Sequence, residues 1–227
     1  MHNACLRGQL LRLYVSRVPK IWVKLEKKGL MKLIIIFSII LIMSNIVVWA
    51  YKSFNFNSKH TSGEIIDVYN GVNVYFNGGI NQVFGRNLTE DNYNLGLKYQ
   101  CTEFVKRYYF IVLKHKMPNS YGNAIDFFDK KLFDGDYNSE RGLLQYNNPS
   151  SVKPAINDIL IYRPNLFNRF GHVSIISNIK ENEIEIIQQN PGPFGNSRET
   201  MTIENHNGMW SINNKRIIGW LRIENIQ

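Results

Sequence analysis

The stretch "KYQCTEFVKRYYF" (residues 98–110) decides how this chain is read. Cys101, Phe104, Val105, Tyr108 and, just beyond it, Val112 recur at the spacing of one helical face. The stripe predicts a helix over 101–116 that begins at Cys101 and turns its apolar side inward. A cysteine in such a stripe is ordinarily a small buried hydrophobe. In the first turn of a helix, however, unpaired N–H groups favour a thiolate. The same position therefore suits a nucleophile that titrates well below the ~8.5 of free cysteine. Both readings, packed residue and nucleophile, stand at this point.

A nucleophilic thiol requires a base, and His60, His115, His172 and His206 are the candidates on the C-terminal side of residue 50. His172 opens the strand-like "HVSIISNI", and "KENE" (180–183) turns the chain into "IEIIQQN". Pairing Lys180 with Glu183 across that turn sets His172 opposite position 191, give or take one or two residues. Gln188, Gln189 and Asn190 then lie beside it by register alone. A side-chain amide there can accept the imidazole N–H and orient the ring, the third role in a nucleophile, base and orienter arrangement.

Further strand-like stretches are "DILIYR" (158–163), "GHVSIISNI" (171–179), "EIEIIQQN" (183–190) and "RIIGWLR" (216–222), and a second helical pattern covers 123–132. In "EIIDVYNGVNVYFNGG", Asn70-Gly71 between alternating apolar runs predicts a tight hairpin. Helices followed by a run of antiparallel strands make the fold class α+β.

The formal charge of +9 invites a polyanion as partner, yet residues 1–50 hold eight of the 27 Lys/Arg and one of the 18 Asp/Glu. What remains, 19 basic against 17 acidic residues, gives no case for nucleic acid. The basic residues Arg7, Arg12, Arg17, Lys20, Lys24, Lys27, Lys28 and Lys32 precede "LIIIFSIILIMSNIVVWA" (33–50), which carries no charge. That pattern predicts a basic cytoplasmic segment (1–32) and a transmembrane helix or signal peptide (33–50). A polar linker (51–63) and an exported domain (64–227) follow. Val48-Trp49-Ala50 keeps signal cleavage open as the alternative to anchoring. With Cys5 across the membrane, Cys101 is expected to be a free thiol. Neither a zinc-type Cys/His cluster nor a glycine-rich phosphate loop is present, and "EDNYNLG" (90–96) reads as an ordinary polar loop, so no metal or cofactor is expected.

The ordered motifs "YQCTEFVKRYY", "YGNAIDFF", "KPAINDILIYR", "GHVSIISNI", "IIQQN" and "IIGWLR" resemble those of the CHAP (cysteine, histidine-dependent amidohydrolase/peptidase) family across about residues 64–224. The likeness is greatest to the amidase domain of glutathionylspermidine synthetase/amidase. It implies a papain-like fold, helices packed on an antiparallel sheet, with Cys101 as nucleophile and His172 as base. Gln188 stands at the third catalytic position, where the family usually carries glutamate. Gln100 would assist the oxyanion, Asn190 would line the site, and Lys106 would hold a substrate carboxylate where relatives often use arginine. The neutral Gln188 leaves open a catalytically lapsed, wall-binding module. A glutamate at that position is expected at least to retain activity. Export selects peptidoglycan as the substrate, with a glutathionylspermidine-type amide as the alternative.

Overall fold

The computed structural model describes residues 20–224. Cys5, Arg7, Arg12 and Arg17 lie outside the described residues. The chain divides into two compact units, Met1–Trp49 and Ala50–Gln227. Helix α1 (Lys20–Ser53) contains a run, Lys28–Ser53, long and apolar enough to cross a membrane, and its large apolar side chains from Leu30 to Val47, with Trp49, are exposed. Such a helix is compatible with either an anchor or a signal sequence.

In the second unit, β1 (Ile65–Tyr69) and β2 (Val72–Tyr75) form the anticipated hairpin, with Tyr69 opposite Val72. Asn70 (φ 46) and Gly71 (φ 79) both take the left-handed conformation that a two-residue turn between twisted strands requires. The stretch expected as a linker, 51–63, makes specific hydrogen bonds within this unit. Lys52 Nζ donates to Leu166 O at 2.9 Å, Asn57 Nδ2 to Pro193 O at 2.8 Å and Gly63 N to Phe76 O at 2.8 Å.

A short ribbon of β3 (Arg86–Leu88) and β4 (Asn94–Leu97) leads into helix α2 (Cys101–Ile111), which starts where the apolar stripe begins. Phe104, Val105, Tyr108 and Tyr109 are fully buried along its inner face. The helix ends five residues before the expected 116, because Tyr109 O is taken by both Leu113 N and His115 N and the chain reverses at Lys114 (φ 52). The second expected helix, 123–132, is only a 3₁₀ turn at Ala124–Phe127. Its following backbone groups are satisfied from the sheet instead. Asn138 Nδ2 donates to Phe127 O, and the Gln145 amide bonds both Asp129 N and Asp129 O.

The main sheet contains β5 (Tyr137–Asn138), β6 (Leu143–Asn147), β7 (Ile159–Tyr162), β8 (His172–Ile179), β9 (Glu183–Ile187), β10 (Arg198–His206), β11 (Met209–Ile212) and β12 (Ile217–Arg222). They are ordered β11-β10-β9-β8-β7-β12-β6-β5 with every pair antiparallel. The four strand-like stretches read from sequence account for β7, β8, β9 and β12, the centre of this sheet. Both faces of the centre are buried, so β7 reads as an unbroken apolar run. Ile159, Ile161, Val173, Ile175 and Ile187 pack with Phe104, Val105 and Tyr108 of α2. Leu160, Tyr162, Ile176, Ile186 and Trp220 form the opposite cluster. A bridge between Ser150 and Trp210 ties the β11 edge to the chain leaving β6, so the sheet curls round that second cluster.

Gly171 (φ 76) turns the chain into β8, and a Cβ there would stand 2.7 Å from Tyr162 O and 3.1 Å from Ile125 N. Neither is a flexible side-chain end. Gly171→Ala is therefore expected to lower unfolding free energy by about 1–3 kcal/mol in urea titrations. An alanine variant as stable as the parent would contradict this account of the turn.

Candidate active site

The first turn of α2 places Cys101 on a cleft of ≈ 570 Å³ that Gln100, Thr102 and Lys106 also line. Cys101 is a free cysteine, 7% exposed. The start of the helix is pinned from below by a buried pair, Arg107 Nε to Glu103 Oε1 at 2.7 Å. Gln189 Nε2 donates to Glu103 Oε2 at 2.9 Å and to Gln100 O at 3.1 Å, while its Oε1 accepts from Tyr75 N at 2.8 Å. A carboxylate in the first turn also suits the positive end of the helix. Gln189 thus serves the scaffold rather than the cleft, a role the register alone did not assign.

His172 is 6% exposed and donates Nε2–H to Gln188 Oε1 at 2.8 Å. A bulge creates this contact. Near the turn the pairs are Ile179↔Ile184 and Asn178↔Glu185, the register expected from Lys180 and Glu183, whose N and O are 2.8 Å apart. Beyond Ser177 the pairing shifts by one, to Ile176↔Ile186 and Ile175↔Ile187. Side chains alternate across a strand, so without the shift Gln188 would lie on the face opposite to His172.

The tautomer follows from the amide. Gln188 Nε2 donates to Asn196 O at 3.0 Å and to Glu199 Oε1 at 2.9 Å, so both amide protons have acceptors and only Oε1 is left for the histidine. An amide oxygen cannot donate, so Nε2 of the neutral imidazole carries the proton and Nδ1 holds the lone pair.

Cys101 and His172 are joined through the backbone: the amide N–H of Val173, the residue after His172, lies within hydrogen-bonding reach of the thiol. No hydrogen bond joins the thiol to the imidazole itself among the described residues. Burial pushes the Cys101 thiol up to about 11, opposed by the N–H groups of Val173, Thr102 and Cys101. Burial likewise holds His172 down to about 4; the Gln188 hydrogen bond raises it and the Arg216 charge lowers it further. The thiolate expected from the helix start is thus outweighed by desolvation, and the resting pair is neutral.

The remaining expected site residues fall nearby. Gln100 precedes the helix, and its Nε2 donates to Ile80 O at 3.2 Å and Gln82 O at 2.7 Å, so both amide protons are engaged. The N–H groups of Cys101 and Thr102 find no intrahelical acceptor and are directed at the thiol. Asn190 (φ 55) donates to Gln100 Oε1 at 2.8 Å and to Ile80 O at 3.0 Å, tying the β9 exit to the helix start. Lys106, 3% exposed, donates to Ser120 O at 2.6 Å and Asn94 O at 3.2 Å and forms no ion pair among the described residues. Burial, with Arg141 and Arg86 nearby, lowers its pKa to about 8, while Glu103 opposes that fall. Arg86 and Arg169 also line the cleft, and none of its described lining residues is Asp or Glu. In the polar loop 90–96, Asp91 is engaged by Lys116 and Thr89, and Asn94 accepts from Arg86.

A neutral, buried thiol makes a direct forecast. The rate of Cys101 alkylation by iodoacetamide should climb with pH to a midpoint above the ~8.5 of free cysteine. A rate already at its plateau near pH 6 would reveal a preformed thiolate and imidazolium and contradict the burial argument.

Comparison with known proteins reaches the same segment. The chain is 28% identical over 142 residues to trypanothione synthetase of Crithidia fasciculata, an alignment covering 61% of this chain. The chain spans about a fifth (21%) of the length of that relative. A solved structure titled "The crystal structure of Ly7917" aligns with 54% of this chain and 52% of its own, at 13% identity and a TM-score of 0.30. Residues 91–190, from the ribbon before α2 to the end of the Gln188-Gln189-Asn190 run, match the family described as CHAP domain.

Proposed function

We propose that this protein is an exported or membrane-anchored cysteine amidase/peptidase that cleaves an amide bond of cell-wall peptidoglycan. The observation that carries the reading is the cleft itself, where Cys101 at a helix start shares one cavity with Lys106, Arg86 and Arg169, and none of the described lining residues is acidic. Two of the three ammonium protons of Lys106 are used by carbonyls, which leaves one for a ligand. Such a cleft suits a substrate bearing a carboxylate, as peptide stems do.

In this mechanism His172 Nδ1 takes the thiol proton as Sγ attacks the amide carbon, so charge separation accompanies bond formation. The reading requires the thiol and imidazole to come into contact in the substrate complex. The N–H groups of Cys101 and Thr102 receive the developing oxyanion. The imidazolium then gives its proton to the leaving amine, and water attacks the thioester with His172 again as base. The apolar helix and the basic residues before it support an outward-facing domain.

The match to trypanothione synthetase favours a second reading, cleavage of a glutathionylspermidine-type amide. The cationic cleft opposes it, since a polyamine half would meet three positive side chains. Gln188 supports a third, the lapsed wall-binding module.

Intact spheroplasts carrying the full-length chain, given soluble peptidoglycan fragments outside, should release new amines detectable by mass spectrometry. Cys101→Ala should lower that release by about a thousandfold or more. Activity only after lysis would overturn the orientation, release only from glutathionylspermidine would select the second reading, and inertness would select the third.

Lys106 provides a separate check on the substrate class. Lys106→Met should raise KM by roughly tenfold or more with a smaller change in kcat, as for an interaction made equally in ground and transition states. In the parent enzyme KM should rise as pH passes about 8, because the ammonium is lost there. A KM indifferent to both changes would contradict carboxylate binding by Lys106.

A further inference from the structure

Gln188 stands in the place where a carboxylate would contact the histidine directly, and its surroundings account for the substitution. Glu199 lies on β10, opposite Ile186 of β9, and so falls diagonally beside position 188 on the same face of the sheet. Its Oε1 accepts from Gln188 Nε2 at 2.9 Å, and Asn196 O accepts the other amide proton at 3.0 Å. The chain of contacts runs His172 Nε2–H to Gln188 Oε1, then Gln188 N–H to Glu199.

We propose that Glu199 is a positioning residue for His172 that acts through Gln188, so that the amide and the carboxylate together replace a single carboxylate at the histidine. This inference rests on reading Cys101 and His172 as nucleophile and base. Three effects follow from the geometry. Glu199 holds the amide with its oxygen toward the imidazole, it thereby keeps the Nδ1 lone pair free, and its charge polarises the amide so that Oε1 accepts more strongly as imidazolium forms.

The groups facing His172 come from every neighbouring element. Tyr162 of β7 packs edge-on at 5.5 Å with its hydroxyl paired to Ser174 Oγ, and Arg216, just before β12, adds a positive charge that disfavours imidazolium. Cys101 of α2 approaches through Val173, and Gln188 follows β9. Among these described neighbours Glu199 is the only acid. It is exposed, so its effect on the ring is transmitted by the hydrogen bond more than by direct attraction across solvent.

The geometry also reverses the expectation that a glutamate at 188 would be tolerated. A carboxylate there would face Asn196 O and the Glu199 carboxylate with no proton to offer either. Moving the amide to position 199 would restore the donor.

The test uses the full-length chain and four forms: parent, Glu199→Gln, Gln188→Glu, and the double variant Gln188→Glu/Glu199→Gln. Thermal unfolding confirms that each is folded before comparison. Glu199→Gln keeps an acceptor oxygen but removes the charge, and is expected to lower kcat about tenfold or more. Gln188→Glu alone should be at least as damaging, and the double variant should exceed both single variants. His172 ionisation, followed by NMR in a Cys101→Ala background, gives a readout that needs no turnover. The double variant should raise the His172 pKa by at least about one unit from its depressed value, and Glu199→Gln should leave the ring neutral at a pH where the parent is half protonated. Unchanged ionisation and unchanged kcat in Glu199→Gln, or a double variant no better than Gln188→Glu, would overturn the proposal. If the parent shows no Cys101-dependent turnover, the enzyme reading fails, while the NMR comparison still decides the role of Glu199.

Discussion

The bulge at Ser177 is the constraint on which the rest of the site depends. Two strands joined by the short Glu181-Asn182 turn would run in one register to their ends, and their side chains would alternate in step. One extra residue in β8 breaks that step and brings His172 and Gln188 to the same side. Ser177 Oγ bonds Glu185 O and Glu185 Oε1, so the irregularity is held by its own side chain. Gln189 is thereby turned to the other face, where it braces Glu103 and the start of α2. A single local shift thus sets both the partner of the histidine and the support of the cysteine-bearing helix.

Burial is the second determinant, and it opposes the helix end. The N–H groups around Cys101 stabilise a thiolate, yet enclosure in a core costs that charge more than three hydrogen bonds return. His172 is subject to the same cost with the opposite sign of charge. Two groups that are each neutral alone can still exchange a proton when they touch, because each new charge then stabilises the other. On the proposed reading, the pair would ionise during attack rather than at rest. Lys106 differs, since protein carbonyls already solvate its ammonium and it remains mostly charged at neutral pH.

Much of this architecture is legible in the chain because it is periodic and local. The stripe from Cys101 to Val112 announces α2, Asn70-Gly71 announces the hairpin, and the apolar runs announce the sheet centre. What escapes is satisfied from a distance. The 123–132 pattern does not become a helix because Asn138 and Gln145, from the sheet, take its backbone groups. Gln100 looks available as a donor until Ile80 O and Gln82 O occupy it. Glu199 and Arg216 carry no motif at all; Glu199 meets Gln188 only through strand order, and Arg216 acts on the histidine only through the approach to β12. The hydrophobic pattern states which strands exist, but the partner of a polar side chain depends on register to the single residue.

The central claim is that Gln188 accepts a proton from Nε2 and leaves Nδ1 of His172 as the base. The tautomer of the neutral ring tests it most directly, by two-bond ¹H–¹⁵N correlation of the full-length protein near pH 7. The account predicts an Nε2–H tautomer for His172 in the parent and a mixture of tautomers in Gln188→Ala. An Nδ1–H tautomer in the parent would contradict it, for the lone pair would then point at Gln188 and away from the role assigned here.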